Sequence, residues 1–281
     1  MKPLADSAAL ITGATDGLGR ALVHALAPSG AQILVHGRDQ ARCQAVIEAV
    51  RSDHPAARLQ SYVADFTSLA QVRRLAEEIA RDHQHLDLLI NNAGIGGGKR
   101  PGAREVSADG HELRFQVNYL APFLLTRLLL PLIRRSAPAR IVNVASVGQA
   151  PVDFDDVMLQ RRYDGMRAYC QSKLALIAFT FDLAEELAGT GITVNALHPA
   201  SLMDTKMVIE SFGRAMTTVD EGLRATLRLA TSPELDDVSG RYFDQTREAR
   251  AHTQANDPAA RRRLRELTEL LVGLPRGTAA D

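Results

Sequence analysis

The chain is short of several features that would place it in a class at once. Two cysteines among 281 residues, Cys43 and Cys170, cannot build a disulfide framework. Charge of one sign is missing as well. Lys+Arg and Asp+Glu both total 33, so no global field draws the chain to nucleic acid or to an anionic membrane. Uninterrupted apolar runs of ~18 residues are absent, and the opening MKPLADSAALITG lacks the apolar stretch of a signal peptide or anchor. These absences exclude a disulfide-stapled secreted module, a nucleic-acid binder and an integral membrane segment. They predict a cytoplasmic protein that handles small molecules, and no set of metal ligands is assigned.

What is present is enough apolar material, 46% of the chain, for one large core. Ala8-Ala9-Leu10-Ile11 runs into Thr12-Gly13, and Gly17-Leu18-Gly19 opens an amphipathic stretch through Ala21, Leu22, Ala25 and Leu26. That reads as strand, glycine turn, helix. The alternation recurs: strand Ile33–His36 and helix Asp39–Arg51, strand Leu59–Ala64 and helix Ser68–Arg81, then strand Leu86–Ile90. A long helix from about Asp109 to Arg135 leads to strand Arg140–Val144. The Tyr169 helix runs to about Ala188 before strand Ile192–Leu197, and Arg241–Phe243 closes the sheet. Repeated βα units predict a single-domain α/β Rossmann fold, a doubly wound parallel sheet of about seven strands in the order 3-2-1-4-5-6-7. Residues 1–255 form that domain. Residues 256–281 form a C-terminal helix and tail packed on it, with Asp257-Pro258 as cap and first-turn proline and a stripe of Leu264, Leu267, Leu270, Leu271 and Leu274. The run Arg261-Arg262-Arg263 is expected on a solvated face of that helix.

Thr12-Gly13-Ala14-Thr15-Asp16-Gly17-Leu18-Gly19 sits in the first βα turn, where missing side chains let backbone N–H groups approach a pyrophosphate at a helix N-terminus. An acidic residue about 20 positions on usually holds the ribose 2′-hydroxyl of such a dinucleotide, whereas arginine there pairs with a 2′-phosphate. Here that place falls on Gly37, and Arg38 follows, which favours NADP(H) while leaving NAD(H) possible through Asp39. Asp65 either accepts from the adenine amino group or caps its own turn. Asn91, with Ala93 and Gly94, ends the fourth strand and lies along the cofactor. Asn118 is a polar residue in an otherwise apolar helix and needs a partner. Tyr169 and Lys173, four apart, share a helix face, and an ammonium close to a phenol stabilises phenolate and suits proton exchange with an alcohol or carbonyl.

Thr-Gly-x-x-x-Gly-x-Gly at 12–19, Asn-Asn-Ala-Gly at 91–94, Asn118, Ser146 and Tyr169-x-x-x-Lys173, in that order, resemble the short-chain dehydrogenase/reductase family. Residues 153–156, 167–173, 193–199 and 264–267 resemble its retinol dehydrogenase-like branch. The resemblance implies an oxidoreductase with Tyr169 as proton donor or acceptor, Lys173 lowering its pKa and holding the nicotinamide ribose, Ser146 bonding the substrate oxygen, and Asn118 completing the set through a water. It implies cofactor contacts at Gly13, Thr15, Asp16, Gly17, Leu18, Gly19, Arg38, Asp65, Phe66, Asn91, Ala93, Gly94, Tyr169, Lys173, Pro199, Ser201 and Thr205. Ala200 stands where the family usually has glycine, and a positive φ there would be strained.

The apolar side chains of 151–167 and 201–216 suggest a lid over a hydrophobic carbonyl or alcohol substrate. Lys99 and Arg100 at the same rim are candidates to select an anionic group. The Tyr169 helix is apolar nearly all round, so a partner helix is expected, and with it a homodimer or homotetramer. The alternative class is a non-catalytic dinucleotide-sensing Rossmann protein, which would have no use for a filled set of Asn118, Ser146, Tyr169 and Lys173.

Overall fold

The computed structural model describes residues 2–98 and 102–275, so Lys99 and Arg100 lie outside the described residues. Strands β1 (Ala8–Ile11), β2 (Gln32–Gly37), β3 (Arg58–Val63), β4 (Leu88–Asn91), β5 (Ala139–Val144), β6 (Ile192–His198), β7 (Tyr242–Asp244) and β8 (Arg247–Ala249) form one sheet in the order β3-β2-β1-β4-β5-β6-β7-β8. Pairing is parallel from β3 through β7. Helices α1 (Gly17–Leu26), α2 (Gln40–Asp53) and α7 (Val219–Thr231) bury one face. Helices α3 (Leu69–Asp82), α4 (Leu113–Arg135), α5 (Gly165–Glu186) and α9 (Pro258–Val272) bury the other. Because the strands are parallel, the carboxyl ends of β1, β4, β5 and β6 emerge along one edge. Ligands of such sheets bind there.

The sheet has eight strands rather than about seven. β7 folds straight back as antiparallel β8 through Gln245 and Thr246, with Gln245 at φ 56°. Glycine is favoured at such a position, and no Asn-Gly or Asp-Gly pair marks this hairpin in the sequence. The fourth helix starts at Leu113, not Asp109. Asp109 instead accepts from the Leu69 N–H at 2.8 Å and from Gln116 Nε2 at 2.7 Å, so it caps the start of α3. Within α4, Gln116–Leu120 makes a π turn, a feature common at functional sites. By length and composition Leu113–Arg135 could cross a bilayer, but 83% of its apolar window is buried inside the fold.

Part of the apolar surface of α5 is covered by the same chain. Residues 171–180 are all buried. The short α8 (Thr253–Asn256) and then α9 lie along this face. The buried residues of α9 are Arg261, Leu264, Thr268, Glu269 and Val272, whereas Leu270 is 61% exposed. Thr268 Oγ1 bonds Tyr119 Oη at 2.7 Å, and Arg265 grips Asp182 with contacts of 2.9 and 3.1 Å. Arg261 departs from the solvated face expected for it: it is 6% exposed, pairs with Glu185 and donates to the Ala255 carbonyl. Arg262 and Arg263 are exposed.

Candidate active site

The glycine turn is fitted to its neighbours at atomic distance. A Cβ on Gly13 (φ 64°) would stand 2.8 Å from Ala93 Cα, and one on Gly19 would stand 2.2 Å from the Gly13 carbonyl oxygen. Only glycine permits these approaches. Thr12 Oγ1 accepts from the N–H groups of Asn92 (2.9 Å) and Ala93 (3.0 Å). Asn92 Nδ2 in turn donates to the carbonyls of Thr12 (2.8 Å) and Gly13 (3.2 Å). The ends of β1 and β4 are thereby tied together. Asp16 caps α1 through the Gly17 N–H at 2.8 Å and pairs with Arg42 at 3.3 Å. The N–H groups of Leu18 and Gly19 meet no acceptor among the described residues. With the helix dipole behind them, these donors and the side-chain-free turn fit a pyrophosphate.

Around the adenosine end, Gly37 has no room for a side chain. A Cβ there would lie 2.5 Å from Thr15 Cγ2 and 2.8 Å from Cys43 Sγ. Arg38 is exposed and has no ion-pair partner among the described residues, while Asp39 is engaged as N-cap of α2 through the Arg42 N–H. Asp65 accepts from the Thr67 N–H at 2.9 Å, a turn cap that leaves its second carboxylate oxygen available. Phe66 is buried and stacks on His36, with ring centroids 4.6 Å apart. Asn91 points its side chain into the interior, where Nδ2 donates to Asn143 (2.8 Å) and Thr126 (3.0 Å), so only its backbone can line a cofactor.

The helix α5 delivers Tyr169 and Lys173 to the end of β5. Lys173 Nζ donates to the Val144 carbonyl at 2.8 Å and lies 5.9 Å from the Tyr169 ring centroid. Burial brings its pKa down to about 8. Ser146 is held from two sides. Its carbonyl accepts from Tyr242 Oη (3.0 Å) and Gln149 Nε2 (3.3 Å), and its Oγ accepts from the Gly148 N–H (3.0 Å). A Cβ on Gly148 would stand 3.1 Å from Cys170 Sγ, 3.4 Å from Ser146 Oγ and 3.6 Å from Tyr169 Cε1, which places this residue beside both the serine and the phenol. A hydrogen bond with Ser146 lowers the Tyr169 pKa, but burial acts the other way and prevails, leaving the phenol above its ordinary value. This differs from the expectation that Lys173 brings the phenol toward neutral pH, because the ammonium is turned to Val144.

Asn118 occupies the π turn, and its amide makes three hydrogen bonds within the protein. Oδ1 accepts from the Ile95 N–H (2.8 Å), while Nδ2 donates to the Ile95 carbonyl (3.0 Å) and to Ser172 Oγ (3.0 Å). Ser172 Oγ passes on to the Tyr169 carbonyl at 2.7 Å. The side chain of Asn118 therefore joins the loop after β4 to the Tyr169 helix.

The segment after β6 folds over the glycine turn. Thr205, N-cap of the short α6 (Lys206–Phe212), has its Cγ2 2.9 Å from where a Gly17 Cβ would be. Ser201 Oγ bonds His198 Nε2 at 3.0 Å, and Pro199 is buried beside it. Ala200 is buried and does not adopt a positive φ; the left-handed residue of this loop is Leu202, at φ 48°. Sequence reasoning missed His36, Asn92, Gln149 and Tyr242. His36 and Asn92 have one legible signal, a polar atom at or beside the carboxyl end of an apolar strand, whereas Gln149, five residues beyond β5, and Tyr242, the first residue of β7, have none.

A short chain dehydrogenase family model matches residues 7–214. The chain is 34% identical over 282 residues to retinol dehydrogenase 13 of Mus musculus, spanning 94% of this chain and 83% of that one. It resembles a crystal structure of a protein from Mycobacterium paratuberculosis with a TM-score of 0.79 and 29% identity, covering 96% of this chain and 95% of that one. It also resembles the RhlG/NADP active-site complex of Pseudomonas aeruginosa, with a TM-score of 0.67 and 28% identity over 87% of this chain and 97% of that one. On these grounds the chain belongs to the short-chain dehydrogenase/reductase family, in its retinol dehydrogenase-like branch.

Proposed function

We propose that this oxidoreductase transfers hydride between NADP(H) and an apolar alcohol or carbonyl compound, with Tyr169 as general acid and base. The observation that carries the reading is the meeting of Tyr169 and Ser146 across Gly148, beside a glycine turn shaped for a pyrophosphate. A bound nicotinamide supplies or accepts the hydride. One lone pair of Ser146 Oγ accepts from the Gly148 N–H, and its proton, which bonds Tyr169, can turn to a carbonyl oxygen that gains negative charge. Tyr169 keeps its proton at neutral pH and is equipped to give it to that oxygen. Lys173, with its ammonium on the Val144 carbonyl and 5.9 Å from the Tyr169 ring centroid, is placed to hold the nicotinamide ribose beside the phenol.

Two features support a 2′-phosphate on the cofactor. The place of the usual carboxylate is packed by Thr15 and Cys43, and Arg38 is exposed without an ion pair. The NADP complex of the similar Pseudomonas aeruginosa protein agrees with this. For the substrate, Val147 is 51% exposed next to Ser146, and Met207, Ile209 and Met216 are exposed on the segment that covers the glycine turn. The names of the retinol dehydrogenase relatives point the same way.

The test is Tyr169→Phe assayed for NADPH-linked reduction of aldehydes and ketones of rising chain length. Turnover is expected to vanish while NADPH still binds. Full activity in this variant would remove Tyr169 from the mechanism, and a preference for short polar substrates would remove the apolar site.

A further inference from the structure

His36 lies at the carboxyl end of β2, 2% exposed, and touches both halves of the dinucleotide cradle. The Gly13 N–H donates to its Nδ1 at 3.2 Å. A backbone N–H can only donate, so Nδ1 carries the lone pair and the proton sits on Nε2. Nε2–H then donates to the Ala64 carbonyl at 3.1 Å. The ring stacks on Phe66 with an interplanar angle of 23°. The backbone continues the connection: the Ala14 N–H donates to the His36 carbonyl at 2.8 Å, and the Ala64 N–H to the Gly37 carbonyl at 3.1 Å.

We propose that His36 is a positioning residue for the dinucleotide, a neutral Nε2–H imidazole that locks the pyrophosphate turn at Gly13 to the adenine-side loop at Ala64–Phe66. The inference rests on reading the glycine turn as a dinucleotide cradle. Gly13 holds φ 64° and has a donor that would otherwise be orphaned, while the segment Ala64–Phe66 leads straight into Asp65 and its turn. One ring fixes the spacing between the two, so the cradle is set before a cofactor arrives and less ordering is left for binding to do. Burial supports the neutral state by holding the His36 pKa down at about 4.

Three variants separate this role from simple core packing. His36→Asn retains an acceptor in the place of Nδ1 but cannot reach Ala64. His36→Gln retains a donor toward Ala64 but offers nothing to Gly13. His36→Leu retains neither. NADPH dissociation constants are measured by fluorescence titration on protein shown to be folded by circular dichroism. The leucine variant is expected to bind NADPH about tenfold more weakly, the loss of one or two hydrogen bonds, with kcat at saturating NADPH unchanged. Asparagine and glutamine should each restore part of the affinity. If leucine fails to fold, the asparagine and glutamine variants still report, since each is expected to fall measurably below the wild type. Dissociation constants within about twofold of wild type in the glutamine variant, or a kcat that falls along with affinity, would overturn the proposal. A wild-type protein that binds neither NADPH nor NADH would overturn the cradle reading itself, which sets that failure apart from failure of His36 alone.

Discussion

Tyr242 Oη donates to the carbonyl oxygen of Ser146 at 3.0 Å, tying a residue of β7 to one 96 positions earlier at the end of β5. The Tyr242 ring is 3% exposed, and its phenol is pushed well above the ordinary range by burial, so it acts as a fixed donor. Gln149 Nε2 donates to the same carbonyl, and its Oε1 accepts from the His252 N–H at 2.7 Å. Ser146 is therefore aimed by the hairpin and by the segment that follows it.

Removing that one hydroxyl in Tyr242→Phe should lower kcat by about tenfold, the equivalent of ~1–1.5 kcal/mol for a buried hydrogen bond, and leave NADPH affinity alone. In a Ser146→Ala background the same change should have little further effect, because the group being aimed is gone. Steady-state kinetics of the two single variants and the double variant make the comparison. Additive losses would show that Tyr242 acts elsewhere.

Lys173 gives a dependence on pH whose sign follows from burial. Its folded pKa of about 8 lies below the ordinary 10.5, so in the window between them the unfolded chain holds a proton that the folded chain has released. Stability then rises with pH across that window, by at most about 3 kcal/mol. Tyr169, raised in the folded state, opposes this only once its unfolded phenol begins to ionise. Urea unfolding of wild type and Lys173→Met at pH 7.5 and pH 9.5 reads the effect, and the difference between the two proteins should shift in favour of wild type at the higher pH. A constant difference would contradict the burial argument.

Gly37→Asp, the substitution that would install an acidic residue for NADH, is expected to fail here. Its Cβ alone would meet Thr15 Cγ2 at 2.5 Å and Cys43 Sγ at 2.8 Å, a collision with atoms of the glycine turn and of α2. Overpacking of this kind costs about 1–3 kcal/mol. The melting temperature should fall and affinity for both dinucleotides should weaken together. A folded variant with a clean preference for NADH would show that the site yields more than these distances allow.

Much of this was legible from the residues. The strands β1, β2, β4, β5 and β6 are built on apolar runs, the glycine turn stands in the first βα unit, and Tyr169 and Lys173 carry their spacing openly. What was hidden depends on partners distant in sequence. The π turn that commits Asn118 to the Ile95 peptide has no compositional mark. Arg261 looks solvated in a triple-arginine run until Glu185 and Ala255 are brought to it. β8 follows a turn whose Gln245 sits where glycine is favoured, so turn chemistry could not announce it. The apolar circumference of α5 was visible, but the helix that covers it could as well have come from another subunit as from the same chain.

That covering has a temporal side. Gln149 and Val152 of the loop after β5 are held by His252 and Gln254, with Val152 N–H donating to Gln254 Oε1 at 2.6 Å. A nascent chain that has reached residue 240 already carries Ser146, Gly148, Gln149, Tyr169 and Lys173, but not Tyr242, His252 or Gln254, which complete the support of the serine and its loop. That support is therefore completed only after the glycine turn and the Tyr169 helix have been translated, as a closing step of synthesis.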